Sequence, residues 1–160
     1  MLGNTKRCGV TILFTSGQMM TALGLTKQQW RTYRAALPEL NKEAGRAACF
    51  GAGDLLAASV AQAVCETLGC PLSKLTPLSA AIFKLCDETS WPYLERSHAV
   101  LDMPSAKVAL LTESATTPSI SICVALDPLI VRLRKALLNV EPDQQPSLAF
   151  PPVMVAGGRQ

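Results

Sequence analysis

Two short runs decide how this chain is read: Phe14-Thr15-Ser16-Gly17-Gln18, and then Gly24-Leu25-Thr26-Lys27-Gln28-Gln29-Trp30-Arg31-Thr32-Tyr33. Each contains a Thr-x-x-Gln box, Thr15 to Gln18 and Thr26 to Gln29. In such a box the threonine oxygen accepts a free backbone N–H of the first helical turn, and the glutamine reaches back to the cap. Met19, Met20 and Leu23 give the first helix its apolar stripe. Gly24 suits a left-handed carboxyl cap. The second helix is expected over Lys27–Ala36, with Trp30, Leu37 and part of Tyr33 turned inward. Lys27, Gln28, Arg31 and Arg34 are expected outward. Two short capped helices joined by Gly24-Leu25 make a helix-turn-helix whose second helix is basic.

Upstream, residues 1–9 are polar, and Val10–Phe14 reads as a short strand. Downstream, Pro38 stops the second helix. Residues 38–52 are a polar connection long enough for a small hairpin or wing, carrying Asn41, Lys42 and Arg46, with Phe50 as its core anchor. Asp54 is expected to cap a helix running to Leu68, whose inward positions are Leu55, Leu56, Ser59, Val60, Ala63, Val64 and Leu68. Gly69 and Pro71 end it. A further helical stretch starts at Ser73, is broken near Pro77 and continues through Ile82 and Leu85. Trp91-Pro92-Tyr93 opens another short segment.

The pattern changes near residue 97. Ala99–Leu101, Lys107–Thr112 and Ser119–Leu126 are rich in strand formers, and the Ser/Thr/Pro-rich run 113–118 could turn a hairpin between the last two. Asp127-Pro128 starts a helix over Leu129–Asn139. Residues 141–160 hold four prolines and read as an extended tail.

Of the 160 residues 49% are apolar, 17% charged and 5% aromatic, enough for an aliphatic core and incompatible with global disorder. The net charge of +3 is unevenly spread. Residues 1–52 hold seven cations (Lys6, Arg7, Lys27, Arg31, Arg34, Lys42, Arg46) against Glu39 and Glu43, a balance of +5; the rest of the chain balances to −2. A basic amino-terminal third on a near-neutral body points to a polyanion-binding surface.

No apolar run approaches the ~20 residues of a membrane span. No secretory leader is apparent either, so a cytoplasmic protein without membrane contact is expected. The six cysteines (Cys8, Cys49, Cys65, Cys70, Cys86, Cys123) show no C-x-x-C spacing, and read first as small hydrophobes. A thiol-based metal or redox sensor is the alternative. His98 is the single histidine, so any histidine-based nucleophile would need it as the base. No P-loop, G-x-S-x-G or G-x-G-x-x-G is present. No enzyme, cofactor or metal site is expected.

Residues 14–75 resemble the DNA-binding domain of the MerR family of transcription regulators. The matching pieces run in order: Phe14-Thr15-Ser16-Gly17-Gln18; the turn Gly24-Leu25-Thr26; Trp30-Arg31-Thr32-Tyr33 in place of the family's Leu-Arg-Tyr-Tyr; Phe50 through Asp54-Leu55; and Gly69 to Leu75. The resemblance implies a winged helix-turn-helix, with Arg31 and Tyr33 on phosphates and Lys27 and Gln28 near base edges. Ala48 stands where the family carries a wing arginine, and Arg46 lies two places earlier. The family's long dimerisation helix is interrupted by Pro92, Pro104 and the strand-rich stretch.

The expectation is therefore an α+β protein: a MerR-like winged helix-turn-helix over 1–96, a small β-hairpin-plus-helix dimerisation lobe over 97–140, and a Pro-rich tail over 141–160. It would act as a sequence-specific regulator on double-stranded DNA, as a homodimer placing Lys27–Ala36 of each copy in the major groove, because one short recognition helix rarely gives enough affinity and paired half-sites solve that. The expected contact residues are Thr26, Lys27, Gln28, Arg31, Tyr33, Arg34, Lys42 and Arg46. An excisionase-like architectural DNA binder, or an adaptor using this fold on a protein partner, are alternatives. A rival to the dimer is a lobe that folds back on the helices of residues 54–86.

Overall fold

A computed structural model describes residues 12–42, 47–111 and 120–138. The chain is α+β. Its helices are α1 (Ser16–Leu23), α2 (Lys27–Ala36), α3 (Ala52–Leu68), α4 (Ser79–Glu88), α5 (Trp91–Leu94) and α6 (Asp127–Leu138). The strands are β1 (His98–Asp102), β2 (Lys107–Leu110) and β3 (Ile122–Ala125). 3-10 helical turns occupy Pro38–Leu40 and Leu72–Leu78.

The central element is α3. Eleven of its residues are buried, because Ala57, Ala58 and Ala61 let neighbours approach on several sides while Leu55, Leu56, Val60 and Val64 fill the space between. It packs against α4, α1 and α6. Asp54 is not the cap residue expected. Gly51 takes that place, and Asp54, in the first turn, accepts the Gly51 N–H at 2.8 Å. Leu68 is another correction: it is 54% exposed, because Gly69 (φ 62°) ends the helix where α3 leaves the core.

The expected strand at 10–14 is reduced, within the described residues, to one bridge between Phe14 and Phe50. That bridge closes the 38–52 connection. Among the described residues no pair of strands forms a wing there, and residues 43–46, including Arg46, lie outside them. The helical stretch expected from Ser73 is a 3-10 turn up to Leu78, since Pro77 has no N–H for an α-helical bond, and becomes α4 at Ser79.

The sheet corrects the expected hairpin. Its order is β2-β1-β3, with both pairs antiparallel: Val100 sits opposite Ala109 on one side and Cys123 on the other. The segment 113–118, itself outside the described residues, therefore joins opposite edges. The hairpin is the tight one between β1 and β2, where the Asp102 carboxylate accepts the Ser105 hydroxyl and Ala106 adopts φ 51°. The centre goes to β1 because Ala99, Val100 and Leu101 are all buried, whereas β2 and β3 alternate between half-buried and exposed residues.

The sheet and α6 share one continuous core with the helices, running from Met19 and Leu55 through Leu101 to Ile130 and Leu133. α6 lies on α1 and α3, and β2 lies on α4. The apolar face of α6 is thus covered within the chain. The tail, 141–160, lies outside the described residues, and no helix among those described is long and apolar enough to cross a membrane.

Candidate functional site

The first two helices are set by bonds between residues three or four apart. The Thr15 hydroxyl accepts the Gln18 N–H at 3.2 Å, and the Gln18 amide oxygen accepts the Thr15 N–H at 2.9 Å. Thr26 and Gln29 repeat the arrangement at 3.2 and 2.8 Å. Between the boxes, Gly24 takes φ 66°, and the Leu25 N–H reaches the Met20 carbonyl at 2.9 Å. A side chain at Gly24 would strain this left-handed turn.

Trp30 seats α2. It is 5% exposed and meets the Phe50 ring edge-on, with centroids 5.7 Å apart and planes at 82°. This T-shaped contact is a preferred aromatic geometry. Ala36 and Leu37 are also buried. With that flank inward, Lys27, Gln28, Arg31, Thr32 and Arg34 are exposed, as the helical period requires. No carboxylate occurs in α2.

The eight expected contact residues divide. Lys27, Gln28 and Arg31 stand together on the exposed face. The Thr26 oxygen is used as the cap acceptor, but its hydrogen remains available to donate. Arg34 is exposed and latched: its Nε donates to Asn41 Oδ1 at 3.2 Å, while Asn41 Nδ2 donates to the Arg34 carbonyl at 2.9 Å. Lys42 is paired with Asp54 and lies 5.7 Å from the centre of the Phe50 ring. Its charge is therefore partly neutralised inside the fold. Tyr33 is half-buried beside Cys65, Glu66 and Arg132. Burial, then Glu66 and Cys65, push its phenol up to about 12 against the opposing pull of Arg132, so near neutral pH it is a hydrogen-bond donor. Arg46 lies outside the described residues.

Several supporting residues left no local signal in the sequence. The Thr76 hydroxyl donates to the Ala36 carbonyl at 2.8 Å, across forty residues, and holds the last turn of α2. Arg132 ties α6 to α3. It donates to Ser59 Oγ at 3.0 Å and to Gln62 Oε1 at 3.5 Å, and Gln62 Nε2 donates to the Leu23 carbonyl at 3.1 Å. This chain of bonds ties α6 through α3 to the end of α1. Arg134 is paired with Glu95.

The described cysteines are free thiols, with Cys86 buried and Cys123 exposed. Cys86 is closed off from solvent, and that burial pushes its thiol up to about 12, so it is both out of reach of reagents and little ionised near neutral pH. Among the described residues no three of His, Cys, Asp and Glu gather closely enough to hold a metal ion. A scan of protein-family models, a search of curated proteins and a search of solved structures each gave no significant match.

Proposed function

We propose that this chain is a sequence-specific, non-enzymatic regulator that binds double-stranded DNA through a MerR-like helix-turn-helix, with α2 as the recognition helix. One observation carries the reading. A doubly capped helix pair, seated on the core by Trp30, turns Lys27, Gln28 and Arg31 outward on a helix without carboxylates. The amino-terminal turn of such a helix, with its free N–H groups and cationic side chains, suits approach to phosphates and to base edges in the major groove. An ordinary solvated helix face would carry both signs of charge interspersed.

The reading is tested by selecting bound duplexes from a random pool. Enrichment of a defined sequence supports it. Two-fold symmetric half-sites in the winners would support action as a homodimer, and light scattering of the full chain at tens of micromolar checks that assembly directly. Failure to enrich any sequence at low salt overturns the reading.

Two substitutions separate positioning from readout. Arg31→Ala should weaken binding to every duplex alike and lower the slope of log affinity against log salt by about one unit, because one phosphate contact and its released counterion are lost. An unchanged slope and affinity would remove Arg31 from the interface. Gln28→Ala should alter preference more than affinity. A bidentate amide–adenine pair discriminates by about 1–3 kcal/mol. Competition between the selected site and its single-base variants measures this, and an unchanged ranking would show that Gln28 reads no base.

A further inference from the structure

The end of α3 carries two thiols in the positions where an apolar pair usually closes the turn. Gly69 takes the left-handed conformation, and the Cys70 N–H donates to the Cys65 carbonyl at 3.2 Å. This is the 6→1 bond of a Schellman cap, which brings the residues at its two ends into side-chain contact. Here those residues are Cys65 and Cys70, with sulfurs 3.9 Å apart. Both are only half-buried. Among the described residues they form the one hydrogen-bonded pair of thiols.

We propose that Cys65 and Cys70 are a redox-active dithiol, which closes to an intramolecular disulfide by exchange with a small-molecule disulfide. A disulfide requires Cα atoms about 4.4–6.8 Å apart and sulfurs about 2.05 Å apart. The 6→1 bond and the 3.9 Å between the sulfurs hold the two residues close, and rotation of the two short side chains would close the remaining gap. Burial, and after it the Cys70 thiol, push the Cys65 thiol up to about 12. Reaction at Cys70 first removes the Cys70 share of that rise and leaves Cys65 the more reactive for the second step. The Cys70 thiolate attacks one sulfur of the incoming disulfide, breaks its S–S bond and releases one thiol. Cys65 then attacks the Cys70 sulfur, loses its proton to solvent and expels the second thiol. Two protein thiols are oxidised by two electrons, and the small disulfide is reduced to two thiols.

The closed form would brace the seat of α2. Pro71 follows Cys70 directly, and the 3-10 turn Leu72–Leu78 carries Thr76, whose hydroxyl holds the Ala36 carbonyl.

The test treats the folded full chain with oxidised glutathione, then quenches, digests after Glu66 and maps the thiols by mass. Cleavage after Glu66 falls between the two cysteines, so their fragments stay joined only through a disulfide. The expected result is joint loss of both thiols, with the fragments joined until reductant is added. The same joining should persist in Cys49→Ser. In Cys65→Ser the glutathione adduct on Cys70 should survive about a hundredfold longer than in the unaltered chain, because the resolving thiol is gone. The proposal is overturned if the unaltered chain holds an equally long-lived adduct on Cys70. It is also overturned if Cys65 and Cys70 stay free while Cys123 is oxidised. The unaltered chain decides this even where a serine variant folds poorly.

Discussion

Phe50→Ala is expected to lower the free energy of unfolding by about 3–5 kcal/mol, the range for truncating a buried phenylalanine. The side chain is 2% exposed. Its ring receives the edge of Trp30 and lies under the Lys42 ammonium, and its backbone pairs with Phe14. Alanine would leave a void that α2, the Phe14 segment and α3 cannot all close at once, since each is held by its own hydrogen bonds. The loss would fall on Trp30, which would keep its bulk and lose its partner. Urea titration followed by Trp fluorescence measures the change. A loss below about 1 kcal/mol would mean that the site collapses freely and that Phe50 does not seat α2. Phe50→Leu should cost less, because more of the volume is retained.

Gly53→Ala is the second large effect, and its sign is opposite to that of Gly17→Ala. A Cβ on Gly53 would lie 2.7 Å from the Asp87 Cα and 2.9 Å from both the Asp87 nitrogen and the Cys86 carbonyl oxygen. All three are backbone atoms that no side-chain rotation can remove. The start of α3 and the end of α4 would have to separate. Overpacking of this kind costs about 1–3 kcal/mol, offset in part by the better helix propensity of alanine. At Gly17 the nearest atom to a new Cβ is Thr15 Oγ1 at 3.8 Å, an ordinary contact. There the propensity gain stands alone, and α1 should be stabilised by up to about 1 kcal/mol. Thermal or urea melts of the two variants read both signs. A neutral Gly53→Ala would show that α3 and α4 can part without cost.

The same contrast explains which features were legible. Thr15 with Gln18, Thr26 with Gln29, and Gly24 act within one helical turn, so they are readable residue by residue, and the structure has both capping boxes and the left-handed turn. Trp30 was readable as buried because it is the large apolar residue on an otherwise polar helix. Asp54 shows the limit of local reading. Its residue type says helix start, but the same carboxylate serves the first turn as well as the cap, and Gly51 offers no side chain to mark itself. Lys42 reads as a free cation until Asp54, twelve residues on, is folded against it.

Sequence by itself determined the two capped helices, the turn between them, the exposed basic face of α2 and the α+β composition of the whole. These depend on hydrogen bonds and burial periodicities spanning a few residues, which the order of side chains specifies directly. Tertiary structure alone decided that β1 lies between β2 and β3, that α6 covers α1 and α3, and that Arg132 meets Ser59 and Gln62. It also decided how closely Gly53 approaches Asp87 and that Thr76 caps the end of α2. These contacts join residues tens of positions apart. Which of many apolar faces meet is set by the lowest free energy of the packed whole, and no single segment carries that information.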